Sequence, residues 1–258
     1  MDITDFSLEY FSLRGKNAIV TGGNTGLGQA FSLALAKAGA NVLLPSLMPE
    51  DPDFNALIEK EGVKAVAIQA DLTQPEVPRE VVQKGADTLG SVDILVNCAG
   101  ICINKGFKEY GRNEWDAMLA VNLTAAFEIS HAAALYMMEQ QSGKIINICS
   151  LFSYLGGQYS PAYSATKHGL AGLTKALSAE LAPYNIQVNG IAPGYFKTDV
   201  TEAAMQDPER NKWIVDHTPA GRWGNVHDLM GATVFLASPA SEFVNGHILA
   251  VDGAFLTQ

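Results

Sequence analysis

The sequence predicts a single-domain α/β fold over residues 1–258, with a doubly wound parallel sheet of about seven strands and helices on both faces. Short apolar segments alternate with helix-like segments along the whole chain, which is typical of repeated βα units. A glycine-rich turn follows the first predicted strand, where such sheets open their first helix. With 258 residues and 48% hydrophobic side chains, the chain can bury one sizeable core.

The apolar periodicity places the elements in order. The predicted strands cover residues 16–21, 41–44, 63–69, 92–97, 144–149, 186–191 and 247–251. The predicted helices cover residues 26–38, 53–61, 77–89, 113–140, 162–182 and 226–236. Segment 193–225 has no clear period and contains Pro208 and Pro219, so we expect a partly helical lid there.

Composition argues against several classes of partner. The formal net charge of −10 disfavours nucleic acid and anionic membranes, and we expect no apolar run of membrane-spanning length. Residues 1–10 carry three acidic and no basic side chains, unlike a signal peptide. Cys98, Cys102 and Cys149 lack a zinc or redox spacing, and the histidines lack ligand spacing. These features predict a cytoplasmic protein with reduced cysteines and no metal.

Residues 21–28, TGGNTGLG, form the turn between the first strand and the first helix. Glycines there permit positive φ and a close approach of the backbone to a pyrophosphate, while the helix N-terminus offers unpaired N–H groups. A purely structural tight turn is the alternative, but the position after the first strand favours a dinucleotide-binding (Rossmann) turn. The predicted cofactor contacts are Gly22, Asn24, Thr25, Gly26, Leu27 and Gly28.

The end of the second strand bears on the choice of dinucleotide. An acidic residue there would bind the adenosine ribose, and a basic one would pair with a 2′-phosphate. This chain offers only Ser46, and Thr25 stands in the glycine turn where a basic side chain would help. The absence of a cation favours NAD, with NADP as the alternative.

Two further strand ends are predicted to contact the cofactor. Asp71 and Leu72 follow the third strand, where Asp71 would meet the adenine edge or, alternatively, act as a helix N-cap. Asn97, Ala99 and Gly100 end the fourth strand in a small-residue corner. Such a corner allows close passage of a cofactor, although a plain turn would have the same composition.

Ser150, Tyr163 and Lys167 form the candidate catalytic group. Ser150 ends the fifth strand, and Tyr163 and Lys167 lie four residues apart on one face of the next helix. A neighbouring ammonium favours the phenolate form of a tyrosine, which makes it a workable acid or base. Tyr163 could then exchange a proton with a carbonyl oxygen to which Ser150 donates a hydrogen bond. A helical Tyr–Lys pair alone is often a surface pair, but its occurrence with Ser150 and the glycine turn favours catalysis.

The motifs TGGNTGLG, NCAG, VNL, YSATK and PGYFKT occur in this order together with Ser150. In these the chain resembles the short-chain dehydrogenase/reductase family throughout its length. The resemblance implies a nicotinamide-dependent oxidoreductase in which Ser150 orients the substrate and Tyr163 is the acid/base. It further implies that Lys167 binds the nicotinamide ribose and that Asn122 holds a proton-relay water.

The same resemblance implies that Pro193, Gly194 and Thr198 contact the nicotinamide carboxamide. It also implies a homotetramer formed through the Tyr163 helix and the last strand. Cys98 departs from the asparagine that this family usually has in the NCAG segment, which affects only local cofactor packing.

Further motifs are similar to those of one group of bacterial sugar-acid enzymes: TGLGQ, KIINICS, IAPGY, TPAGRWG, DLMG, VFLAS and FVNGHILAVDG. This group comprises the 2-dehydro-3-deoxy-D-gluconate 5-dehydrogenases, also called 2-deoxy-D-gluconate 3-dehydrogenases. The resemblance implies a keto or hydroxy sugar acid as substrate. Gluconate 5-dehydrogenases share several of the motifs and stay open as an alternative.

Two other functions are weighed against the sugar-acid hypothesis. A 3-ketoacyl-carrier-protein reductase would share the catalytic residues, but it would need a basic docking patch that a net charge of −10 does not favour. A non-catalytic dinucleotide-sensing protein would keep the fold without needing Ser150, Tyr163 and Lys167 together.

A carboxylate substrate requires a cation or several hydrogen-bond donors in its pocket. Lys105, after the fourth strand, and Lys197, in the lid, are the candidates, with Gln158 and His168 as weaker ones. Each of them fits a solvated surface position equally well. Related sugar-acid enzymes tend to carry arginines where this chain has residues 102–105.

Overall fold

The structure, a computed structural model, describes residues 6–257. The two ends of the predicted domain, residues 1 and 258, lie outside this range. Residues 1–5 of the acidic N-terminal segment 1–10 also lie outside it. The strands are β1 Asn17–Val20, β2 Asn41–Ser46, β3 Ala65–Gln69, β4 Ile94–Asn97, β5 Gly143–Ile148, β6 Ile186–Pro193 and β7 Ile248–Val251. The longer helices are α1 Gly26–Lys37, α2 Pro52–Glu59, α3 Val77–Leu89, α4 Arg112–Leu119, α5 Ala125–Gln140, α6 Pro161–Leu181, α7 Glu202–Gln206, α8 Pro208–Asp216 and α9 Met230–Ala237.

The seven strands of the described range form one parallel sheet in the order β3-β2-β1-β4-β5-β6-β7. This confirms the predicted fold class. The order reverses between β1 and β4, and ligands of such sheets bind in the crevice outside the strand ends at this reversal. Parallel strands are covered on both faces, and all four residues of β1 and of β4 are buried.

Two apolar clusters cover the faces of the sheet. One includes Phe31 and Leu35 of α1 and Leu236 of α9, and the other includes Ile129 and Met137 of α5. These helices therefore present their apolar side chains to the sheet, and the strand ends are held at fixed positions for the site.

Two strands run further than predicted. Strand β2 continues through Pro45 to Ser46, although proline cannot donate a hydrogen bond to a neighbouring strand. The Pro45 carbonyl instead accepts the Gly22 N–H at 2.8 Å, so this residue ties the strand to the glycine turn. Strand β6 extends to Pro193, which therefore ends a strand rather than beginning the lid.

The predicted helix 113–140 is interrupted. Helices α4 and α5 are joined by a π-helical turn at Ala120–Thr124, which contains Asn122. Among the described residues, this combined segment Arg112–Gln140 is long and apolar enough to span a membrane by length and composition. The expectation that no run reaches that length is therefore wrong, but half of the apolar window is buried inside the protein.

Segment 193–225 contains two α-helices, as expected for a partly helical segment. Helices α7 and α8 lie in it, and Ile214 of α8 is only 1% exposed. Trp223 is buried, and its indole Nε1–H donates to the Asn211 Oδ1 at 2.7 Å. Its ring lies edge-on to Tyr195 with centroids 5.8 Å apart. These contacts hold segment 193–225 together, and Phe255 joins it to the end of the chain by packing on Tyr195 and Trp213.

Candidate active site

The glycine turn lies at the reversal of strand order. Gly22 adopts a φ of 65°, which favours glycine, and a Cβ on Gly28 would meet the Gly22 carbonyl oxygen at 2.0 Å. Helix α1 begins after Thr25, whose side chain makes no capping hydrogen bond. The first N–H groups of α1 therefore have no side-chain partner and can bind an anion. These features fit a dinucleotide pyrophosphate.

Thr21 joins the glycine turn to the end of β4. Its Oγ1 accepts hydrogen bonds from the backbone N–H groups of Cys98 and Ala99, both at 2.9 Å. A Cβ on Gly22 would meet Ala99 Cα at 3.3 Å, so the two turns are in close contact. Sequence reasoning did not single out Thr21, although its place at the end of β1 was visible.

At the adenosine end, Ser46 is 5% exposed and its Oγ accepts the Met48 N–H at 3.1 Å. Residues 46–53 contain no basic side chain and three acidic ones, Glu50, Asp51 and Asp53. Asn24 donates from Nδ2 to the Pro49 carbonyl at 2.8 Å, which ties this loop to the glycine turn. The loop that follows β2 is therefore acidic.

Asp71 closes a turn rather than capping a helix. Its carboxylate accepts two hydrogen bonds from Thr73, at 3.0 and 2.7 Å, and one from Gln74 at 3.2 Å. These hydrogen bonds hold the pKa of Asp71 below its usual value. Glu76, not Asp71, is the N-cap of α3, so the N-cap alternative is wrong. Leu72 is buried beside it.

The Asn97 side chain faces α5 and β5. Its Nδ2 donates to Ser130 Oγ and to Asn147 Oδ1, both at 2.8 Å, and its Oδ1 is buried without a hydrogen-bond partner. Burial raises the pKa of Cys98 to about 12, against the opposing charge of Lys167, so this thiol stays protonated. Among the site residues of 97–100, Gly100 comes nearest the catalytic group. A Cβ there would lie 3.9 Å from Lys167 Nζ.

The structure brings Ser150, Tyr163 and Lys167 together at the end of β5. Lys167 is 6% exposed; its Nζ donates to the Ile148 carbonyl at 2.7 Å and lies 5.5 Å from the Tyr163 ring centroid. Ser150 Oγ accepts the Phe152 N–H at 3.2 Å, which leaves its own proton free to donate elsewhere. Phe152 also packs edge-on against Tyr163, with centroids 5.9 Å apart.

Ser153 is hydrogen-bonded to the backbone of two members of this group, Ser150 and Lys167. Its hydroxyl donates to the Lys167 carbonyl at 2.8 Å and accepts the Ser150 N–H at 3.3 Å. It therefore links the strand end that carries Ser150 to the helix that carries Lys167. Sequence reasoning missed this residue, because a serine at i+3 from another serine has no distinctive pattern.

Asn122 lies in the π-helical turn and is 1% exposed. Its side chain pairs with both backbone groups of Ile101: Oδ1 accepts the N–H at 2.8 Å and Nδ2 donates to the carbonyl at 2.9 Å. Turns of this kind are frequent at functional sites. The side chain is thus used to hold the loop after β4 against the site.

The residues after β6 form the opposite wall of the crevice. Pro193 is the last residue of the strand, and a Cβ on Gly194 would meet Asp252 Cα at 2.7 Å. Thr198 is half-buried, and its N–H donates to Thr201 Oγ1 at 3.0 Å. The close contact with Asp252 requires a glycine at position 194.

Two of the candidate carboxylate contacts are neighbours, because the Lys105 N–H donates to the carbonyl of Tyr159, the residue after Gln158, at 2.8 Å. The Lys105 ammonium pairs with the Glu114 carboxylate, which raises the pKa of Lys105 and lowers that of Glu114 to about 2. Lys197 and Gln158 are exposed. His168 is exposed as well, and its Nδ1 lies 2.9 Å from the Ser164 carbonyl oxygen. The Lys105 charge is therefore largely compensated before any substrate binds.

The arrangement can carry out proton transfer beside a bound nicotinamide. A half-buried phenol, a buried ammonium next to its ring and a hydroxyl with a free proton converge at the sheet edge. The glycine turn and the uncapped start of α1 lie at the same edge.

Comparisons with known proteins agree with this geometry. A family model described as short chain dehydrogenase matches residues 16–209. The uncharacterized oxidoreductase YgcW of Escherichia coli (strain K12) is 59% identical over 98% of this chain and 97% of its own length. The 2-dehydro-3-deoxy-D-gluconate 5-dehydrogenase of Bacillus subtilis (strain 168) is 44% identical over 96% of this chain and 97% of its own. The 5-keto-D-gluconate 5-reductase of Escherichia coli (strain K12) is 42% identical over 96% and 98% of the two chains.

A crystal structure of a protein from Agrobacterium tumefaciens, described as a 2-deoxy-D-gluconate 3-dehydrogenase with bound NADP, superposes with a TM-score of 0.89. It is 44% identical to this chain and covers 96% of it and 99% of its own length. The chain is an NAD(P)-dependent oxidoreductase and belongs to the short-chain dehydrogenase family.

Proposed function

We propose that this protein interconverts a ketone and a secondary alcohol on a sugar acid, with NAD(H), in the manner of a 2-dehydro-3-deoxy-D-gluconate 5-dehydrogenase. The observation that carries the chemistry is the convergence of Ser150, Tyr163 and Lys167 at the carboxyl edge of β5. The sugar-acid substrate class is supported by relatives named for such substrates at 42–44% identity over nearly the whole chain.

In ketone reduction, the bound nicotinamide supplies the hydride. The Tyr163 hydroxyl donates a proton to the substrate carbonyl oxygen, and Ser150 donates a hydrogen bond to the same oxygen. Lys167, held by the Ile148 carbonyl, places a positive charge beside the Tyr163 ring and stabilises the phenolate left after proton transfer. Alcohol oxidation is the reverse.

Asn122 is proposed to hold a water that returns the proton from solvent. Both side-chain atoms already have partners: Oδ1 and Nδ2 bind Ile101, and Nδ2 also lies 3.4 Å from Thr166 Oγ1. We therefore assign the water contact to the backbone of the π-helical turn, where the regular i to i−4 hydrogen bonding is interrupted. We further propose that the glycine turn binds the pyrophosphate and that Pro193, Gly194 and Thr198 contact the nicotinamide carboxamide.

NAD is proposed over NADP because the loop after β2 is acidic. Residues 46–53 carry three carboxylates and no cation that could pair with a 2′-phosphate. The test is a steady-state comparison of NADH and NADPH with the same keto sugar acid. We expect NADH to have the higher kcat/KM, and a more than tenfold preference for NADPH would overturn the assignment.

We further propose a cytoplasmic homotetramer. Helix α5 exposes Phe127 and Leu135, 46% and 51% accessible, and Trp115 of α4 is 38% accessible. Exposed apolar side chains along one helical segment favour an interface between copies of the chain. Light scattering of the purified protein tests the assembly.

The substrate class is tested with a panel of secondary alcohols and NAD+. The panel contains 2-dehydro-3-deoxy-D-gluconate, D-gluconate and a carrier-linked 3-hydroxyacyl substrate. We expect oxidation of the deoxy sugar acid to have the highest kcat/KM. Preference for D-gluconate would move the function to a gluconate 5-dehydrogenase, and preference for the carrier-linked substrate would contradict the sugar-acid assignment.

A further inference from the structure

The lid carries a positive charge that its surroundings leave unpaired. Arg210 lies in the first turn of α8, and its backbone N–H is bonded to the Asp207 carboxylate at 3.2 Å. Its side chain is exposed, and among the side chains that the structure describes, which do not include that of Asp199, its guanidinium has no ion-pair or hydrogen-bond partner. An unpaired arginine in a lid can bind an incoming anion.

Three neighbouring cations differ from Arg210 in this respect, whereas Lys197 is exposed and likewise has no ion pair among the described side chains. Lys212 pairs with Asp216 on the same helix, and Arg222 binds Asp228 at 2.7 Å. Lys105, across the crevice, is compensated by Glu114. A substrate carboxylate that approached any of these would have to displace an existing carboxylate, which weakens the gain in free energy.

The charge of Arg210 reaches two groups that border the crevice. Burial raises the pKa of the Cys102 thiol and of the Tyr195 phenol, and the Arg210 charge opposes this rise in both. Cys102 lies in the loop after β4, and Tyr195 follows the end of β6. Contacts beside Arg210 point to the same wall, because the adjacent Asn211 binds the Trp223 indole and the Trp223 ring packs on Tyr195. Lys197 is not among the charges that act on these two groups.

The position of Arg210 is fixed by the packing of α8. Asn211 accepts the Trp223 indole N–H at 2.7 Å, and Ile214 is buried against the body of the protein. Trp223 in turn packs edge-on against Tyr195. These contacts hold the first turn of α8 over the end of β6, at the sheet edge that carries the catalytic group.

A second polar group lies on the facing wall. The Tyr110 hydroxyl is buried. Burial and the nearby Cys102 and Glu114 raise its pKa, and hydrogen bonding to Ser160 and Ala162 opposes this rise. The phenol therefore stays protonated and can donate to an oxygen of a bound ligand.

We propose that Arg210 binds the carboxylate of the substrate from the lid and selects sugar acids over uncharged ketones. This inference rests on the proposed sugar-acid activity. Guanidinium and carboxylate match in bidentate geometry, and the interaction gains strength as the lid excludes water from the crevice.

The test compares the sugar acid that the wild-type enzyme turns over fastest with its carboxamide, which keeps the ketone and loses the charge. For Arg210→Gln we expect the KM for the acid to rise about tenfold or more, while the KM for the amide and both kcat values stay near wild type. Arg210→Lys should recover part of the loss. Lys212→Gln is the matched control, because it removes the same charge from the same helix at a paired position.

Direct binding gives a second readout. Calorimetric titration of D-gluconate into each variant in the presence of NAD should show weaker binding for Arg210→Gln and no change for Lys212→Gln. Unchanged preference for acid over amide in Arg210→Gln, with wild-type activity on the acid, would overturn the role of Arg210 alone. A wild-type enzyme that turns over no sugar acid would overturn the proposed function and this inference with it.

Discussion

The floor of the site and its lid hold their polar side chains in opposite ways. On the floor, Asn122 and Lys167 are 1% and 6% exposed, and each is bonded to a backbone carbonyl. In the lid, Arg210 is exposed and its guanidinium is unpaired among the described residues. The protein itself therefore fixes the geometry of proton transfer, whereas the substrate must complete the contacts of the lid.

This difference predicts different kinetic signatures. A group that acts only in the transition state lowers kcat when it is removed, and a group that binds substrate and transition state equally raises KM. Substitutions on the floor should therefore act on kcat, and substitutions in the lid should act on KM.

The largest effect is expected for Tyr163→Phe. Loss of the hydroxyl removes the proton donor, so kcat should fall by about 10²- to 10⁴-fold. The melting temperature should stay near wild type, because the contact between Phe152 and residue 163 needs only the aromatic ring. The binding of NADH, followed by fluorescence, should also stay near wild type. A kcat within threefold of wild type would show that another group transfers the proton.

An asparagine-to-alanine substitution on the floor and one in the lid are both expected to have effects of intermediate size. Asn122→Ala removes both hydrogen bonds to Ile101, so we expect a loss of about 1–3 kcal/mol in the free energy of unfolding and a lower kcat. Asn211→Ala removes the bond to Trp223, so we expect a higher KM with kcat nearly unchanged. Denaturant unfolding and steady-state kinetics measure both, and equal effects on kcat would remove the contrast.

The smallest effect concerns the base of the lid. The hydrogen bond from Arg222, with one from the Asn225 N–H, lowers the pKa of Asp228 from 3.8 to about 2. The ionised carboxylate is favoured in the folded state, so its contribution to stability is complete above about pH 4 and fades as the pH falls toward 2.

Asp228→Asn should accordingly lower the melting temperature by about 1–3 °C at pH 7, since exposed ion pairs contribute little. The difference from wild type should shrink as the pH is lowered from 4 to 2, measured by calorimetry. A difference that grows with acidification would contradict the sign of this linkage.

The positions of site residues could be predicted from the sequence where they follow the periodicity of a helix or stand at the end of a predicted strand. Tyr163 and Lys167 were placed on one helix face by their spacing, and Ser150 by the end of an apolar run. The π-helical turn at Asn122 was not predicted, because one inserted residue does not disturb the apolar pattern of a long helix.

The lid was the least predictable region for a physical reason. Its conformation depends on contacts between residues far apart in the chain, such as Tyr195 with Trp223 and Phe255. Arg210 was missed for the same cause, since its proposed role depends on the packing of α8 against Trp223 and Tyr195 rather than on a local motif. Lys105 looked suitable in the sequence, whereas its pairing with Glu114 appears only in three dimensions.

The central claim is that a buried floor performs the chemistry and an exposed lid arginine chooses an acidic substrate. Its most direct test is the steady-state oxidation of 2-dehydro-3-deoxy-D-gluconate with NAD+ by wild type, Tyr163→Phe and Arg210→Gln side by side. The account predicts turnover in wild type, a collapse of kcat in Tyr163→Phe and a raised KM with wild-type kcat in Arg210→Gln. Full activity in Tyr163→Phe, or a collapse of kcat in Arg210→Gln, would contradict it.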